Sequence, residues 1–117
     1  SSTGFRLATN AIRAADVAWL RKERWAALTT LEQRGFAPVC PDFVIELRSA
    51  TDYLPRLQRK MEKWLGYGCR LGWLIDPQER KVYIYRPERE VEVQSGFDEP
   101  VSGEEVLPGL AVDLLFI

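Results

Sequence analysis

The sequence predicts a mixed α/β (α+β) sandwich in which one helix crosses between two strands that can run parallel. Residues 43–47 form a nearly continuous apolar run, which is typical of a strand buried on both faces. Apolar side chains at helical spacing follow, and residues 71–75 then form a second apolar run. The 117 residues, 46% hydrophobic and 28% charged, suit a single domain spanning residues 1–117.

The segment before the first apolar run contains shorter elements. Residues 14–20 have β character, and the charged stretch 21–28 suits a short helix. A loop containing Gly35 and Pro38 leads to the strand at residues 43–47. Glu46 is the charged exception inside that strand.

The crossing helix is predicted to begin near residue 53, after candidate N-caps and just before Pro55. Gly66 or Gly68 supplies its end. Its apolar stripe consists of Leu54, Leu57, Met61, Trp64 and Leu65, so Trp64 is predicted to be a core residue. Lys60 lies about 60° from Leu57, on the margin of this stripe, where its ammonium can reach what the helix covers.

The remaining elements are strands. Residues 71–75 and 82–85 are predicted to form an antiparallel hairpin, with a turn at Asp76 and Pro77. Residues 90–93 alternate charge with valine, which favours a half-exposed strand. Residues 111–115 are predicted to close the sheet.

The composition excludes several kinds of chemistry. The chain has no histidine, which removes Ser-His-Asp and Cys-His triads and imidazole metal sites. Sixteen Lys and Arg against 17 Asp and Glu give a net charge of −1, so any nucleic-acid contact must come from local patches. Catalysis, if present, must use carboxylates, lysine, hydroxyls or cysteine.

Cysteine usage and hydropathy indicate a cytoplasmic protein. Cys40 and Cys69 are too few and too far apart for a zinc site, and reduced buried thiols are the expected state. No apolar run reaches the roughly 18 to 20 residues of a membrane span, and no signal peptide is recognisable. The first patterned segment begins almost at once, at Phe5, so we expect an N-terminal portion of the full protein to be missing.

Three charged residues interrupt apolar patterns: Asp16, Glu46 and Lys60. If the strands of Asp16 and Glu46 are neighbours, their carboxylates can converge on one Mg²⁺ or Mn²⁺ ion, with Lys60 reaching in from the helix. Such a site would hydrolyse a phosphodiester, the lysine offsetting negative charge on the phosphate. The spacing leaves a structural alternative open, in which Glu46 forms a buried ion pair with Arg48 or Lys60.

Three stretches point to a known family. Residues 41–49 read PDFVIELRS, residues 57–65 read LQRKMEKWL and residues 68–77 read GCRLGWLIDP. In this order they closely resemble the Uma-type family of "putative restriction endonucleases", also catalogued as domain of unknown function 820, and the likeness extends from Phe5 to residues 106–110. The resemblance implies a PD-(D/E)XK restriction-endonuclease-like fold and a Mg²⁺-dependent DNA endonuclease. Members of that family usually carry a further N-terminal region with an acidic helix.

The resemblance also implies roles for individual residues. Asp16 takes the place of the family's metal-binding aspartate, although Ala15 replaces the usual proline before it. Glu46 matches the acidic residue of the (D/E)XK element, and Arg48 stands where the lysine is expected. Lys60 matches a helix lysine thought to substitute for it. Arg48 cannot be deprotonated, so it would serve only as a charge.

Asp42 is a weaker candidate than its Pro-Asp context suggests. Four residues at ~3.3 Å each separate it from Glu46 by roughly 13 Å, while oxygens on one Mg²⁺ lie within ~4 Å. We therefore predict a strand-start or capping role for Asp42.

DNA contact is expected from a local basic set near the proposed site. Its members are Arg13, Arg48, Arg56, Arg59 and Lys63. A solvated helix face is the alternative interpretation of the same charges.

Two other functions stay open. One is a catalytically inactive nuclease-fold module for binding or dimerisation, which the altered residues Ala15 and Arg48 favour. A homodimer would use exposed Tyr83 or Tyr85 and the edge at Val91 and Val93. The other is a small ligand-binding domain without nucleic acid, in which the charged residues form only a salt bridge.

Overall fold

The computed structural model describes residues 4–117 and contains twelve helices and strands in that range. The N-terminal elements are β1 (Gly4–Arg6), β2 (Ile12–Ala14), β3 (Val17–Trp19), α1 (Lys22–Ala26) and α2 (Thr30–Arg34). The central elements are β4 (Phe43–Leu47), α3 (Leu54–Gly66), β5 (Leu71–Asp76) and β6 (Lys81–Tyr85). The C-terminal strands are β7 (Glu92–Ser95), β8 (Val101–Ser102) and β9 (Ala111–Val112). Within these residues, no helix has both the length and the apolarity needed to cross a bilayer.

A five-stranded mixed sheet, in the order β3-β4-β5-β6-β7, forms the centre of the molecule. Strands β4 and β5 are parallel and are joined by α3, whereas the other neighbouring pairs are antiparallel. The prediction of a mixed sheet with a crossing helix is therefore confirmed. Two separate two-stranded sheets, β1-β2 and β8-β9, complete the described part of the chain.

Helix α3 lies close against the sheet because glycine occupies the contact point. A Cβ atom on Gly72 would lie 2.6 Å from the Met61 side chain and 3.3 Å from Val44. Met61 and Trp64 are the fully buried residues of the helix, as their place in the apolar stripe predicts. The close approach brings the side chains of α3 within reach of β4.

The two faces of the sheet support separate cores. The α3 side contains Val44, Met61, Trp64, Leu74 and Tyr85 among its buried residues. The opposite face contains an apolar core closed by the chain after β7; it includes Phe43, Trp73, Ile84, Phe97 and Leu114. Neighbouring residues along β4 and β5 alternate between these cores, as expected for strands buried on both sides.

Several sequence predictions differ from this architecture. Residues 111–115 do not close the main sheet, because β9 pairs with β8 in its own hairpin. The segment placed in a loop before Gly35 contains α2, and the strand expected at residues 90–93 lies at Glu92–Ser95. The tyrosines predicted to be exposed, Tyr83 and Tyr85, are both buried under α3.

Candidate functional site

Glu46 is the charged residue at the centre of the candidate site. It lies in β4 with only 2% of its surface exposed. Its Oε2 atom lies 2.9 Å from the Lys60 Nζ atom and accepts a hydrogen bond of 3.2 Å from the Trp64 indole nitrogen. A buried carboxylate needs such partners because desolvation penalises its charge. The predicted pairing of Glu46 with Lys60 is present, and Arg48 is not its partner.

Both polar partners of Glu46 lie on helix α3. Lys60 and Trp64 are four residues apart and so project from the same side of the helix. The Lys60 side chain remains 32% exposed, whereas Trp64 is 1% exposed. The ammonium therefore contacts the buried carboxylate from the solvent side, and the indole donates its hydrogen bond from within the core.

Asp16 lies beside β4 at the edge of the sheet. Asp16 is in a bend immediately before β3, whose register pairs Val17 with Ile45, the residue before Glu46. The Asp16 carboxylate is exposed and accepts a hydrogen bond of 2.7 Å from the backbone N–H of Leu47, the residue after Glu46. Asp16 is thus attached to the end of β4 that carries Glu46.

Arg48 points away from Glu46. Its guanidinium lies 2.8 Å from the fully buried carboxylate of Asp76 and 3.5 Å from that of Glu79. It also donates to the Asp52 carbonyl over 3.4 Å. Since the Arg48 side chain is only 16% exposed and is held by acids, it has less freedom to contact DNA than the other predicted arginines.

Asp42 has the structural role that its spacing predicts. One carboxylate oxygen accepts from the backbone N–H of Arg21, which precedes α1, and the other accepts from the Arg24 guanidinium. These contacts of 2.9 and 2.8 Å attach α1 to the start of β4. Asp42 is therefore not brought together with Glu46.

The predicted DNA-contact residues on α3 form an exposed basic stripe. Arg56, Arg59 and Lys63 are all exposed, and no described carboxylate lies within 4.0 Å of their charged groups. With Lys60 they recur at intervals of three and four residues, so the stripe reaches the candidate site. Arg13 lies apart from it, on β2, and its guanidinium donates to the neighbouring Ile12 carbonyl.

The carboxylate oxygens of the candidate site are ligands of the kind that a hard divalent cation prefers. Mg²⁺ is commonly held by one or two carboxylates with water or phosphate oxygens filling the other positions, and Asp16 and Glu46 supply two such groups. Within residues 4–117, no group of three or more Asp, Glu, Cys or His side chains is placed to hold a metal ion. A metal cage made only of protein is therefore excluded among these residues, and a cation held by Asp16 and Glu46 would need water or substrate to complete its coordination.

The two cysteines are unsuited to nucleophilic catalysis. Both are free, and burial raises the pKa of Cys40 to about 11 and that of Cys69 to about 12. The thiolate is the nucleophilic form, so these thiols are unreactive near neutral pH. This leaves carboxylates, lysine and hydroxyls as the candidate catalytic groups.

A shallow groove of about 500 Å³ follows the outer side of β3. It is lined by Phe5, Ala15, Asp16, Val17, Ala18, Trp19, Leu20 and Trp25. Asp16 therefore faces the groove as well as the β4 ladder. Glu46 and Lys60 lie outside its lining.

Trp64 is the site residue that sequence reasoning missed. Its helical spacing predicted burial correctly, but its indole N–H also binds the candidate carboxylate. A buried tryptophan usually needs an acceptor for its N–H. Its place one turn after Lys60 was the available signal for a contact with Glu46.

The chain thus folds as a mixed sheet crossed by a helix, with a buried glutamate facing a helix lysine. It matches the family model Uma2, described as "Putative restriction endonuclease", over residues 1–115. The chain therefore belongs to the Uma2 family.

A solved structure shows the same fold. It is that of a putative nuclease belonging to DUF820 from Anabaena variabilis ATCC 29413, with a TM-score of 0.77 at 23% sequence identity. The match covers 95% of this chain and 62% of that protein, so the chain spans less than two thirds of its relative. Comparison with curated proteins found no significant match.

Proposed function

We propose that this chain is a nuclease domain that hydrolyses phosphodiester bonds in DNA with Mg²⁺ or Mn²⁺ as cofactor. The observation that supports this most is the Lys60 ammonium 2.9 Å from the buried Glu46 carboxylate. Replacing a buried ion pair by apolar residues of similar volume is often neutral or stabilising. Packing α3 on the sheet therefore does not require these charges, whereas phosphodiester chemistry does.

The proposed roles follow from the position of each group. Asp16 and Glu46 would supply oxygen ligands, Glu46 from β4 and Asp16 from the bend that is hydrogen-bonded to Leu47 next to it. A divalent cation held by them would act as a Lewis acid toward the phosphodiester and activate a water. Lys60 is partly exposed, so its ammonium can turn toward substrate, orient the attacking water and offset negative charge on the phosphate.

The basic stripe of α3 carries the residues proposed to contact DNA. Because the net charge of the chain is −1, DNA binding must depend on local charge. Arg56, Arg59 and Lys63 provide three exposed cations with no carboxylate nearby, on the helix that carries Lys60. They would contact the phosphate backbone, which positions a protein without reading base sequence.

A cleavage assay with matched variants tests the proposal. The full chain is incubated with supercoiled and linear DNA in Mg²⁺, Mn²⁺ or EDTA, beside Glu46→Gln and Lys60→Ala. Glu62→Gln and Lys22→Ala are the controls, since both residues are exposed and no salt bridge includes either in the described part of the chain. We expect metal-dependent cleavage that both site variants abolish and both controls retain.

Two results would contradict the proposal that this chain is an enzyme. One is absence of cleavage with every metal, and the other is cleavage that survives both site variants. Cleavage that persists in EDTA would contradict the proposed metal cofactor but not the proposed DNA substrate.

The closed Glu46–Lys60 pair favours a second candidate, a catalytically inactive nuclease-fold module for binding or dimerisation. The carboxylate already has two partners on one oxygen, so the pair is stable as a purely structural element. Titration of the protein with Mn²⁺ separates the two functions, because a purely structural pair gives no site-specific binding. Binding that Glu46→Gln removes supports the nuclease.

An edge strand is the surface on which such a module would pair with a second copy. Strand β7 ends the sheet, and Val91 and Val93 are nearly half exposed beside and within it. Unpaired edges favour strand-to-strand association. Sedimentation of the wild type and of Val93→Lys tests this homodimer, and a monomeric wild type would exclude it.

A further inference from the structure

Two buried tryptophans lie on opposite faces of the central sheet and differ in one respect. Trp64 is 1% exposed and Trp73 is 0% exposed, and each packs edge-to-face against a phenylalanine. The indole nitrogen of Trp64 donates to Glu46 over 3.2 Å. The indole nitrogen of Trp73 is the buried side-chain polar atom without a partner in the described part of the chain. Of these two buried indoles, only that of Trp64 has a hydrogen-bond acceptor among residues 4–117.

The hydrogen bond from Trp64 fixes one oxygen of a buried carboxylate. Trp64 donates the one hydrogen bond that the Glu46 carboxylate accepts among residues 4–117, and the Lys60 ammonium lies 2.9 Å from the same oxygen, Oε2. With both partners on Oε2, rotation of the carboxylate is limited and Oε1 is available to a ligand. Trp64 is inside the core, so its donor group keeps this place even when the partly exposed Lys60 turns toward substrate.

We propose that Trp64 is a positioning residue that holds the Glu46 carboxylate for cation binding through its indole N–H. This inference rests on the proposed function, since it assigns the residue that orients one of the proposed ligands. Partners that orient a metal-binding group typically contribute about 10- to 100-fold to metal affinity or activity. Trp64 itself is too buried to contact DNA or the reacting atoms.

The experiment compares Trp64→Phe with Trp73→Phe in the full chain. Both substitutions delete the same atoms from a fully buried ring, but only the first removes a hydrogen bond. The measurements are Mn²⁺ affinity by titration calorimetry, kcat and KM for cleavage of supercoiled DNA, and the urea midpoint. We expect Trp64→Phe to weaken Mn²⁺ binding and lower kcat by about 10- to 100-fold, with KM for DNA within about twofold, and Trp73→Phe to leave both quantities near wild type.

The outcomes distinguish this inference from the proposed function. A wild type that binds Mn²⁺ and cleaves DNA, with Trp64→Phe no weaker than Trp73→Phe, overturns the positioning role and leaves the nuclease intact. A wild type that neither binds Mn²⁺ nor cleaves overturns both proposals. A loss in Trp64→Phe that appears in KM alone also contradicts positioning, because a buried indole has no direct contact with DNA.

A second measurement decides the matter if Trp64→Phe does not fold. The indole N–H signals of the ¹⁵N-labelled wild type are followed by NMR, with Glu46→Gln as the perturbation and Mg²⁺ as the ligand. We expect the Trp64 signal to move strongly in both cases and the Trp73 signal to move little. A Trp64 signal that responds neither to Glu46→Gln nor to saturating Mg²⁺ overturns the inference.

Discussion

The two faces of the central sheet bury similar aromatic and aliphatic side chains, but only the face covered by α3 also buries carboxylates. The face away from α3 supports a core made entirely of Phe, Leu, Trp, Ile and Val residues. On the α3 side, three carboxylates are buried along β4 and β5 or at their ends: Asp42, Glu46 and Asp76. The core on the face without α3 contains no buried carboxylate, so this sheet packs there without one.

The three buried acids differ in what their partners accomplish. Asp42 attaches α1, and Asp76 binds Arg48 while also accepting from the backbone N–H groups of Gln78 and Glu79. The Glu46 carboxylate has its polar partners on α3 alone, and one of them is a lysine that reaches solvent. The first two therefore organise the chain locally, whereas Glu46 is paired with a partly exposed lysine of the helix that carries the basic stripe.

The largest expected effect comes from removing the most buried of the structural acids. Asp76→Ala leaves Arg48 without its closest counter-ion in a largely buried place and frees two backbone N–H groups. Breaking a buried pair from one side typically costs about 3–5 kcal/mol. We expect the free energy of unfolding, measured in urea, to fall by about 3 kcal/mol.

The control for that change is Glu79→Ala. Glu79 touches the same guanidinium at 3.5 Å, but its side chain is half exposed. Exposed ion pairs contribute about 0–1 kcal/mol, so this variant should remain near wild type. Equal losses in the two variants would contradict the distinction between buried and exposed acids on this face.

A smaller effect is expected at the candidate site, where charge is proposed to serve function. Lys60→Met leaves Glu46 buried without its cation, and we expect a loss of about 1–2 kcal/mol in unfolding free energy. Adding Glu46→Gln removes the remaining charge, while the amide oxygen still accepts from Trp64. The double variant should therefore regain wild-type stability or exceed it and remain inactive in the cleavage assay.

A double-mutant cycle in urea measures this recovery. Its single variants are Lys60→Met and Glu46→Gln. A double variant no more stable than Lys60→Met would show that the ion pair itself stabilises the fold, and the argument that its charges are kept for chemistry would fail.

Alkaline pH is expected to weaken the α3 side selectively. Burial raises the pKa of the Cys69 thiol from 9.0 to about 12 and that of the Tyr85 hydroxyl from 10.0 to about 12, and both belong to the α3-side core. Below pH 9 the folded and unfolded chains both keep the thiol proton. Above pH 9 only the unfolded chain loses it, so stability present at lower pH is lost as pH rises toward about 12.

Urea unfolding between pH 8 and pH 10 measures this loss. We expect a decrease of about 1 kcal/mol from Cys69 by pH 10. Cys69→Ala and Tyr85→Phe should each reduce the dependence on pH, whatever their effect on stability at pH 8. Slopes unchanged in both variants would exclude these groups as the cause.

The sequence predicted the central part of the fold well because its signals are local. An apolar run, an amphipathic helix with proline in its first turn and a second apolar run indicate β4, α3 and β5 from local sequence. Helix α2 was missed although Thr29 and Glu32 form a capping box, since the helix is only five residues long. The pairing of β9 with β8 depends on tertiary packing that no local pattern indicates.

The candidate site was predictable only to the level of residue type. Glu46 and Lys60 interrupt or flank apolar patterns, so their sequence positions suggested a contact that the structure contains. The diversion of Arg48 to Asp76 was not predictable, because it depends on the depth of the turn after β5. Likewise, the spacing of Trp64 identified a core residue without revealing which of two buried indoles has an acceptor.

The smallest expected effect concerns the outer side of α3, where the basic stripe meets solvent. Arg59→Ala removes one exposed cation without a nearby carboxylate, and Arg34→Ala removes a comparable exposed arginine from α2. If the stripe contacts DNA phosphates, Arg59→Ala should weaken binding to duplex DNA a few-fold for all sequences. It should also reduce the slope of log affinity against log salt by about 1, whereas Arg34→Ala changes neither quantity.

Fluorescence anisotropy between 50 and 200 mM salt, a range of about fourfold in which phosphate contacts are readily resolved, measures both the affinity and this slope. Equal behaviour of the two variants would make the stripe an ordinary solvated helix face.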